Sequence, residues 1–136
     1  MSSAAELDLA ARVARLEAIE VAKATTARYA RACDTKDIEA LRTEVFTDDA
    51  VLRLPTRELH GIDAIAKSYR RAFEAHGPRR HFIVNHIAER AESDLVELAS
   101  YFVFVSQDGS SVIGWGAYRD VIVVDGPVEQ APMSGP

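Results

Sequence analysis

Three side chains in this sequence are well suited to acid–base chemistry: Tyr29, Asp34 and His81. Histidine is the residue type that most readily takes up and releases a proton near neutral pH. A buried carboxylate can orient an imidazole and stabilise its charged form, and a phenol can donate a hydrogen bond to a carbonyl or leaving oxygen without ionising. Together the three groups suit proton abstraction next to a carbonyl, or loss of water, on a small cyclic molecule in an apolar cavity.

Each of these residues also has a purely structural interpretation. Tyr29 on an apolar helix face can be a core tyrosine, and Asp34 can cap the helix that follows it. A lone histidine on a strand, such as His81, can be a satisfied core or rim residue. Cys33 has no base next to it in the sequence, and a buried cysteine usually behaves as a small apolar side chain.

Helical patterns occupy the first half of the chain and would position Tyr29 and Asp34. Residues 6–33 contain no Gly or Pro and are rich in Ala, Leu, Glu, Arg and Lys, which predicts one long helix with an apolar stripe that includes Leu9, Val13 and Leu16. The further elements predicted here are a short helix capped by Asp34 or Thr35 and ending at Thr47, strands at residues 50–54 and 56–60, and a helix at residues 61–75.

Long alternating patterns occupy the second half and would position His81. Strands are predicted at residues 80–89, 95–106 and 112–124. Helices first and a meander of strands afterwards indicate an α+β fold, with helices on one face of an antiparallel sheet. Strict alternation would place His81, Ile83 and Asn85 on the face towards the helices and His86 on the opposite face.

Both faces of the predicted sheet carry apolar side chains, although the helices can cover only one of them. We therefore expect the second face to be buried against another subunit, in a homodimer or homotrimer. Tyr101 and Trp115 are large residues of this sheet, and they can line either a pocket or that interface.

Composition excludes several classes of function. A chain of 136 residues predicts a single domain, and its net charge of −5 disfavours nucleic acid as a partner. No apolar run approaches the length of a membrane span, the N-terminus does not resemble a secretory signal, and the one cysteine suggests a reducing cytoplasm. Neither the spacing of the four histidines nor any glycine-rich motif predicts a metal or a cofactor.

Several segments together resemble the SnoaL-like group of the nuclear transport factor two-like superfamily. The resemblance covers about residues 14–125, and the segments that carry it are Tyr29–Asp37, Phe46–Val51, Gly61–Ile65 and His81–Asn85. The group includes polyketide cyclases, scytalone dehydratase, bile acid dehydratases and ketosteroid isomerases. The resemblance implies a cone-shaped α+β barrel, in which three N-terminal helices pack on a curved antiparallel sheet and enclose a hydrophobic pocket.

In the dehydratase branch of the group, a tyrosine, an aspartate and a histidine at corresponding places work without a cofactor. The resemblance thus implies that His81 shuttles the proton, Asp34 orients the His81 ring and Tyr29 polarises the substrate oxygen. The substrate would be a steroid-like or polyketide-like ring compound. The side chains expected to bind it are Leu54, Tyr69, Asn85, Tyr101 and Trp115. The alternative function is a non-catalytic small-molecule binder or an accessory subunit of the same fold.

The chain departs from the group in two ways. The region Tyr101–Val105 lacks the second histidine of scytalone dehydratase, so the bile acid dehydratase pattern matches better. Many relatives also end with a further strand that this sequence lacks, which would leave a sheet edge uncovered. We expect one SnoaL-like domain at residues 1–125 and a flexible tail at residues 126–136.

Overall fold

Helices precede strands along the chain, as a computed structural model shows for residues 4–124, the part that the structure describes. The elements are α1 (Ala4–Thr35), α2 (Ile38–Ala40) with a π-helical turn (Leu41–Val45), β1 (Val51–Leu54), β2 (Arg57–His60), α3 (Ile62–Ala75), β3 (Arg79–Ala91), β4 (Leu95–Ser106) and β5 (Val112–Val123). The predicted α+β class is confirmed. None of the helices described here is long and apolar enough to cross a membrane. The predicted tail at residues 126–136 lies outside the described residues.

The strands form two antiparallel sheets. Strands β1 and β2 make a hairpin, and β3, β4 and β5 make a meander with β4 in the centre. Within residues 4–124 the large sheet does not close into a barrel, so β5 is an edge strand of this part of the chain. The helices nevertheless pack on one face of the sheet, which we call the inner face, and enclose a cavity against it.

Helix α1 packs on the inner face through small side chains. Ala18 and Ala22 are buried against Val96, Leu98 and Val124, and this cluster forms the hydrophobic core next to the helix. Alanine at these positions lets the helix backbone approach the sheet closely, while burial of the apolar surface stabilises the contact.

The apolar stripe predicted for the first turns of α1 is not buried. Leu9, Val13 and Leu16 are 58 %, 44 % and 61 % exposed, so this part of the prediction is wrong. A helix of 32 residues is about 48 Å long. Among the described residues of α1, the buried ones begin at Ala18, so the sheet covers only the second half of the helix.

The end of α1 is a Schellman-type turn centred on Lys36. The N–H of Asp37 donates to the carbonyl of Ala32 at 2.8 Å, and Lys36 adopts a left-handed conformation with φ of 55°. Asp37 then caps α2, because its Oδ1 accepts the N–H of Ala40 at 3.0 Å. The predicted caps, Asp34 and Thr35, both belong to α1 instead, which frees the Asp34 carboxylate for another contact.

A bulge in β3 changes which residues face the helices. The pairing of β3 with β4 shifts register between Val84 and Ile87, and Asn85 adopts a left-handed conformation with φ of 57°. His81 lies on the inner face as predicted, but beyond the bulge His86 also turns inward and Ile87 is 65 % exposed. The expectation that His86 faces away from the helices is therefore wrong, because an inserted residue interrupts the alternation of side chains between the two faces of the strand.

Two glycines of β5 make room for aromatic rings on β4. A Cβ added at Gly114 would lie 2.5 Å from the ring of Phe104, and one at Gly116 would lie 2.7 Å from the ring of Phe102. Both distances are shorter than van der Waals contact, so only glycine permits the rings to lie over β5. The two phenyl rings are stacked on each other, with centroids 6.2 Å apart.

The outer face of the large sheet carries several exposed apolar side chains. They are Phe82, Val84, Ile87, Tyr101, Trp115, Val121 and Val123, with exposed fractions from 41 % to 81 %. Monomeric proteins seldom leave so large an apolar patch in water. Burial of this face in a homodimer or homotrimer remains a prediction.

Candidate active site

The Asp34 carboxylate holds the backbone and the ring of His81. Asp34 Oδ1 accepts the backbone N–H of His81 and the ring Nδ1, each at 2.8 Å. Because a carboxylate oxygen only accepts, Nδ1 carries a hydrogen, and in the neutral ring Nε2 carries the lone pair. The side chains of His81 and Asp34 are only 15 % and 23 % exposed. The last turn of α1 and the start of β3 thereby fix one imidazole tautomer.

The face of the His81 ring is fixed by Phe104. The two rings are stacked with centroids 5.1 Å apart and an interplanar angle of 22°. The Arg79 guanidinium lies 5.0 Å from the Phe104 centroid, in cation–π contact. Since Phe104 needs the space above Gly114, this glycine on β5 helps to orient the imidazole.

Tyr29 and Tyr69 form a pair of phenols across the helical layer. Their hydroxyl oxygens are 2.9 Å apart, and either can be the donor. Around them the Tyr29 ring makes edge contacts with Phe46 and Tyr118. Burial raises the pKa of Tyr29 well above its usual value, and the neighbouring Tyr69 and Cys33 add to this rise. Burial also raises the pKa of Tyr69, so both phenols are hydrogen-bond donors at neutral pH.

A cavity of about 170 Å³ joins the imidazole and the phenols. Its walls come from the end of α1, from α3 and from the start of β3. They consist of Tyr29, Cys33, Lys36, Tyr69, Ala72, Phe73, His76, Gly77, Arg79 and His81. Two of the three residues singled out from the sequence therefore line one space, and the third, Asp34, bonds to His81 behind the wall.

Cys33 lines the same cavity without being a nucleophile. Burial raises the pKa of its thiol to about 12, so the reactive thiolate is essentially absent at neutral pH. The side chain acts there as a small apolar surface next to Tyr29, in agreement with the sequence interpretation.

Among the side chains expected to bind substrate, only Tyr69 lines this cavity. Leu54 lies on the separate β1–β2 hairpin, and Asn85 is exposed at the bulge. Tyr101 and Trp115 are 60 % and 81 % exposed on the outer face, because their neighbours along each strand turn inward. These four residues do not line the cavity, and a role for them in substrate binding stays a prediction.

Sequence reasoning missed four polar or aromatic residues of this region. Arg79 could have been found, since it lies two residues before His81 and so shares its strand face. Lys36, His76 and Phe104 reach the site only through a helix end, a loop and a neighbouring strand. No local pattern in the sequence signals them.

A second inward histidine lies on the other side of the bulge. His86 Nδ1 and the hydroxyl of Ser100, which is 2 % exposed, are 2.7 Å apart. Burial lowers the pKa of His86, and the nearby Lys23 ammonium lowers it further. His86 does not line the cavity.

Asp120 is an inward carboxylate on β5 that the sequence did not single out. Its register partner on β4 is the buried Leu98, and Tyr118 precedes it on the same strand face. Burial raises the pKa of Asp120. Within the part of the chain that the structure describes, no group of three or more His, Cys, Asp or Glu side chains converges as metal ligands.

The sequence matches the model of a family described as the SnoaL-like domain over residues 14–128. A similar structure is a proposed aromatic ring hydroxylase from Novosphingobium aromaticivorans, with 25 % identity, 79 % of each chain covered and a TM-score of 0.68. A proposed scytalone dehydratase from the same organism has 18 % identity, covers 85 % of this chain and 80 % of its own, and has a TM-score of 0.69.

The beta subunit of a proposed aromatic-ring-hydroxylating dioxygenase, again from Novosphingobium aromaticivorans, has 21 % identity and a TM-score of 0.62. The match covers 85 % of this chain and 82 % of the subunit. At this identity, and at that of the scytalone dehydratase, the likeness concerns the fold alone. No curated protein matches the sequence significantly.

Proposed function

Because this chain belongs to the SnoaL-like domain family, we propose that it is a cofactor-independent dehydratase or isomerase for a small cyclic substrate. The observation that carries this proposal is the Asp34–His81 pair at the wall of a cavity that also holds the Tyr29–Tyr69 phenols. A base, its orienting carboxylate and a neutral hydrogen-bond donor are the parts that proton transfer at carbon requires.

His81 is the general base in this proposal. Its Nδ1–H is engaged by Asp34, so Nε2 takes the proton from a carbon next to a carbonyl or an alcohol. The ring then carries a positive charge, which the adjacent carboxylate stabilises at short distance. The stacking of the ring on Phe104 holds its plane in one orientation while the proton moves.

The phenols supply the complementary hydrogen-bond donor. With their pKa values raised by burial, Tyr29 and Tyr69 stay protonated. One phenol donates to the other, and the phenol that accepts keeps its own hydrogen to donate to an oxygen that gains negative charge. In an isomerisation this oxygen is an enolate. In a dehydration the electrons of the C–H bond form the double bond, the C–O bond breaks, and the leaving oxygen receives a proton from the imidazolium and departs as water.

The size of the cavity limits the range of possible substrates. A cavity of about 150 Å³ in a protein interior holds one benzene ring, and the cavity here has about 170 Å³. We propose that a single six-membered ring enters it, either as a whole monocyclic substrate or as the terminal ring of a larger polyketide-like or steroid-like one.

The test replaces His81 by Asn, whose amide can still donate to Asp34 but cannot act as a base. Cyclic hydroxy-ketones in D₂O are screened by NMR for exchange of the protons next to the carbonyl and for release of water. The variant should lose about 10²–10⁴-fold in the rate of proton transfer, with a nearly unchanged melting temperature. A variant as active as the unmodified protein would rule out His81 as the base.

The second candidate is a non-catalytic accessory subunit. It is favoured by the likeness in fold to the beta subunit described above and by the exposed apolar outer face of the sheet. In that case no substrate in the screen turns over. A pull-down from a lysate with the unmodified chain then recovers a partner protein, and the same pull-down with the outer-face variant Trp115→Glu does not.

A further inference from the structure

The mouth of the cavity carries two cationic side chains and no free carboxylate. Lys36 and Arg79 both line it, one at the end of α1 and the other at the start of β3. Asp34 accepts two hydrogen bonds from His81, and Asp37, the next residue after Lys36, accepts the N–H of Ala40. Neither carboxylate lines the cavity. Among the ion pairs found between residues 4 and 124, none involves Lys36 or Arg79.

Both cations are held in place by neutral acceptors of one residue. The Lys36 ammonium donates to the carbonyl oxygen of His76 at 2.6 Å, and Arg79 donates to His76 Nδ1 at 2.9 Å. Arg79 is further positioned by the face of Phe104. These contacts orient the two positive charges but do not neutralise them, and each side chain keeps further N–H groups for another acceptor.

The backbone at Lys36 adds a second indication. This residue has a left-handed φ of 55° at the end of α1, a position where glycine is the residue with no steric penalty. A lysine occupies this position, and its side chain lines the cavity. Backbone strain of this kind collects where a side chain is needed for binding or catalysis.

We propose that the cavity takes a ring compound that bears a carboxylate, with the carboxylate held at the mouth by Arg79 and Lys36 and the ring inside. Guanidinium and ammonium groups together match a planar anion. Arg79 and His81 are two residues apart on one strand face, about 7 Å along the strand. The anion is thus bound at one end of the ligand and His81 meets the ring beyond it. The inference deepens the proposed function by naming the substrate class.

The test measures binding rather than turnover. The full chain is titrated with benzoate, with its neutral isostere benzamide and with inorganic phosphate, and affinities are read from heteronuclear NMR shifts of cavity residues. Benzoate should bind at least about tenfold more tightly than benzamide, because a charge-assisted hydrogen bond is stronger than a neutral one by at least that factor in affinity. Equal affinities for the two would overturn the proposal, and so would phosphate binding as tightly as benzoate.

Three variants locate the effect. Arg79→Gln and Lys36→Gly should each weaken benzoate binding about fivefold or more, and the glycine also removes the backbone strain at position 36, so misfolding is not the cause. Arg80→Gln is the matched control, since Arg80 is the next residue on β3 and is exposed; it should change the affinity by less than about twofold. An equal loss of benzoate affinity in Arg80→Gln would show only a general effect of charge and would contradict the proposed anion site.

His81→Asn separates this inference from the proposed function. That variant should keep its preference for benzoate over benzamide within about twofold, because a changed contact between residue 81 and the ring affects both ligands alike while the anion is bound at the mouth. If proton transfer is never observed but the preference for benzoate persists, the acid–base proposal fails and the anion site stands. If His81 proves essential for turnover and benzoate shows no preference, the anion site fails alone.

Discussion

His81 and His86 lie on the same strand, both face the helices, and both are held through Nδ1 by a side-chain oxygen. Their surroundings differ. His81 has a carboxylate partner and lines a cavity, whereas His86 has a hydroxyl partner that is 2 % exposed and a lysine nearby. A carboxylate favours a positively charged ring, while burial and a neighbouring ammonium oppose it. Of the two, His81 is therefore the better suited to the proton transfer proposed above, because it has an anionic partner and lines the cavity.

The largest expected difference in activity between the two histidine sites comes from replacing the side chain that binds each Nδ1. Asp34→Asn removes the charge that stabilises the imidazolium, so we expect proton transfer to fall by about 10²-fold. Ser100→Ala should leave proton transfer within about twofold and lower the free energy of unfolding by about 1 kcal/mol, because a buried hydrogen bond is lost. NMR exchange rates and urea titrations measure the two effects. A strong loss of activity in Ser100→Ala would mean that both histidines serve the reaction.

An intermediate effect is expected from the two glycines beneath the phenyl rings. Gly114→Ala and Gly116→Ala should each destabilise the fold by about 1–3 kcal/mol, because the added methyl overlaps Phe104 or Phe102. Only Gly114→Ala displaces the ring on which His81 is stacked, so it alone should also slow proton transfer. Thermal unfolding and exchange rates of both variants provide the test. Equal slowing in the two would mean that Phe104 does not position the imidazole.

The smallest effect concerns the pH dependence of stability at His86. Its pKa is lower in the folded chain than in the unfolded one, so the unfolded state binds more protons in the interval between the two values. The contribution of His86 is then complete above the unfolded value, near pH 6.5, and is lost as the pH falls. Urea unfolding between pH 5 and pH 8 should show a shallower loss of stability in His86→Gln. An unchanged slope would contradict the burial argument.

Sequence patterns predicted the long helices and strands accurately. The strand predicted at residues 95–106 coincides with β4, and the predicted third helix differs from α3 by one residue at its start. These segments have long uninterrupted periodicity with Gly or Pro near their ends, and local propensity is enough to define them. Short elements were less accurate, since the predicted second helix is one α-helical turn followed by a π-helical turn.

Sequence patterns were less accurate for the faces of the strands. Asn85 was assigned to the pocket from alternation, and the bulge at that residue exposes it and turns His86 inward. Tyr101 and Trp115 could each face either way on a strand that is apolar on both sides, and the structure places them on the outer face. A bulge depends on the pairing with β4, which the sequence of β3 does not contain.

Sequence alone determined that helices precede a meander of strands and that a tyrosine, an aspartate and a histidine are the residues suited to acid–base chemistry, because propensity, periodicity and proton affinity are properties of the residues themselves. Only the tertiary structure decided that Asp34 and His81, 47 positions apart, share two hydrogen bonds, and that Lys36, His76 and Arg79 meet at one cavity mouth. Such meetings depend on how a helix end, a loop and a strand pack in space, and burial of the core, rather than any local pattern, sets that packing.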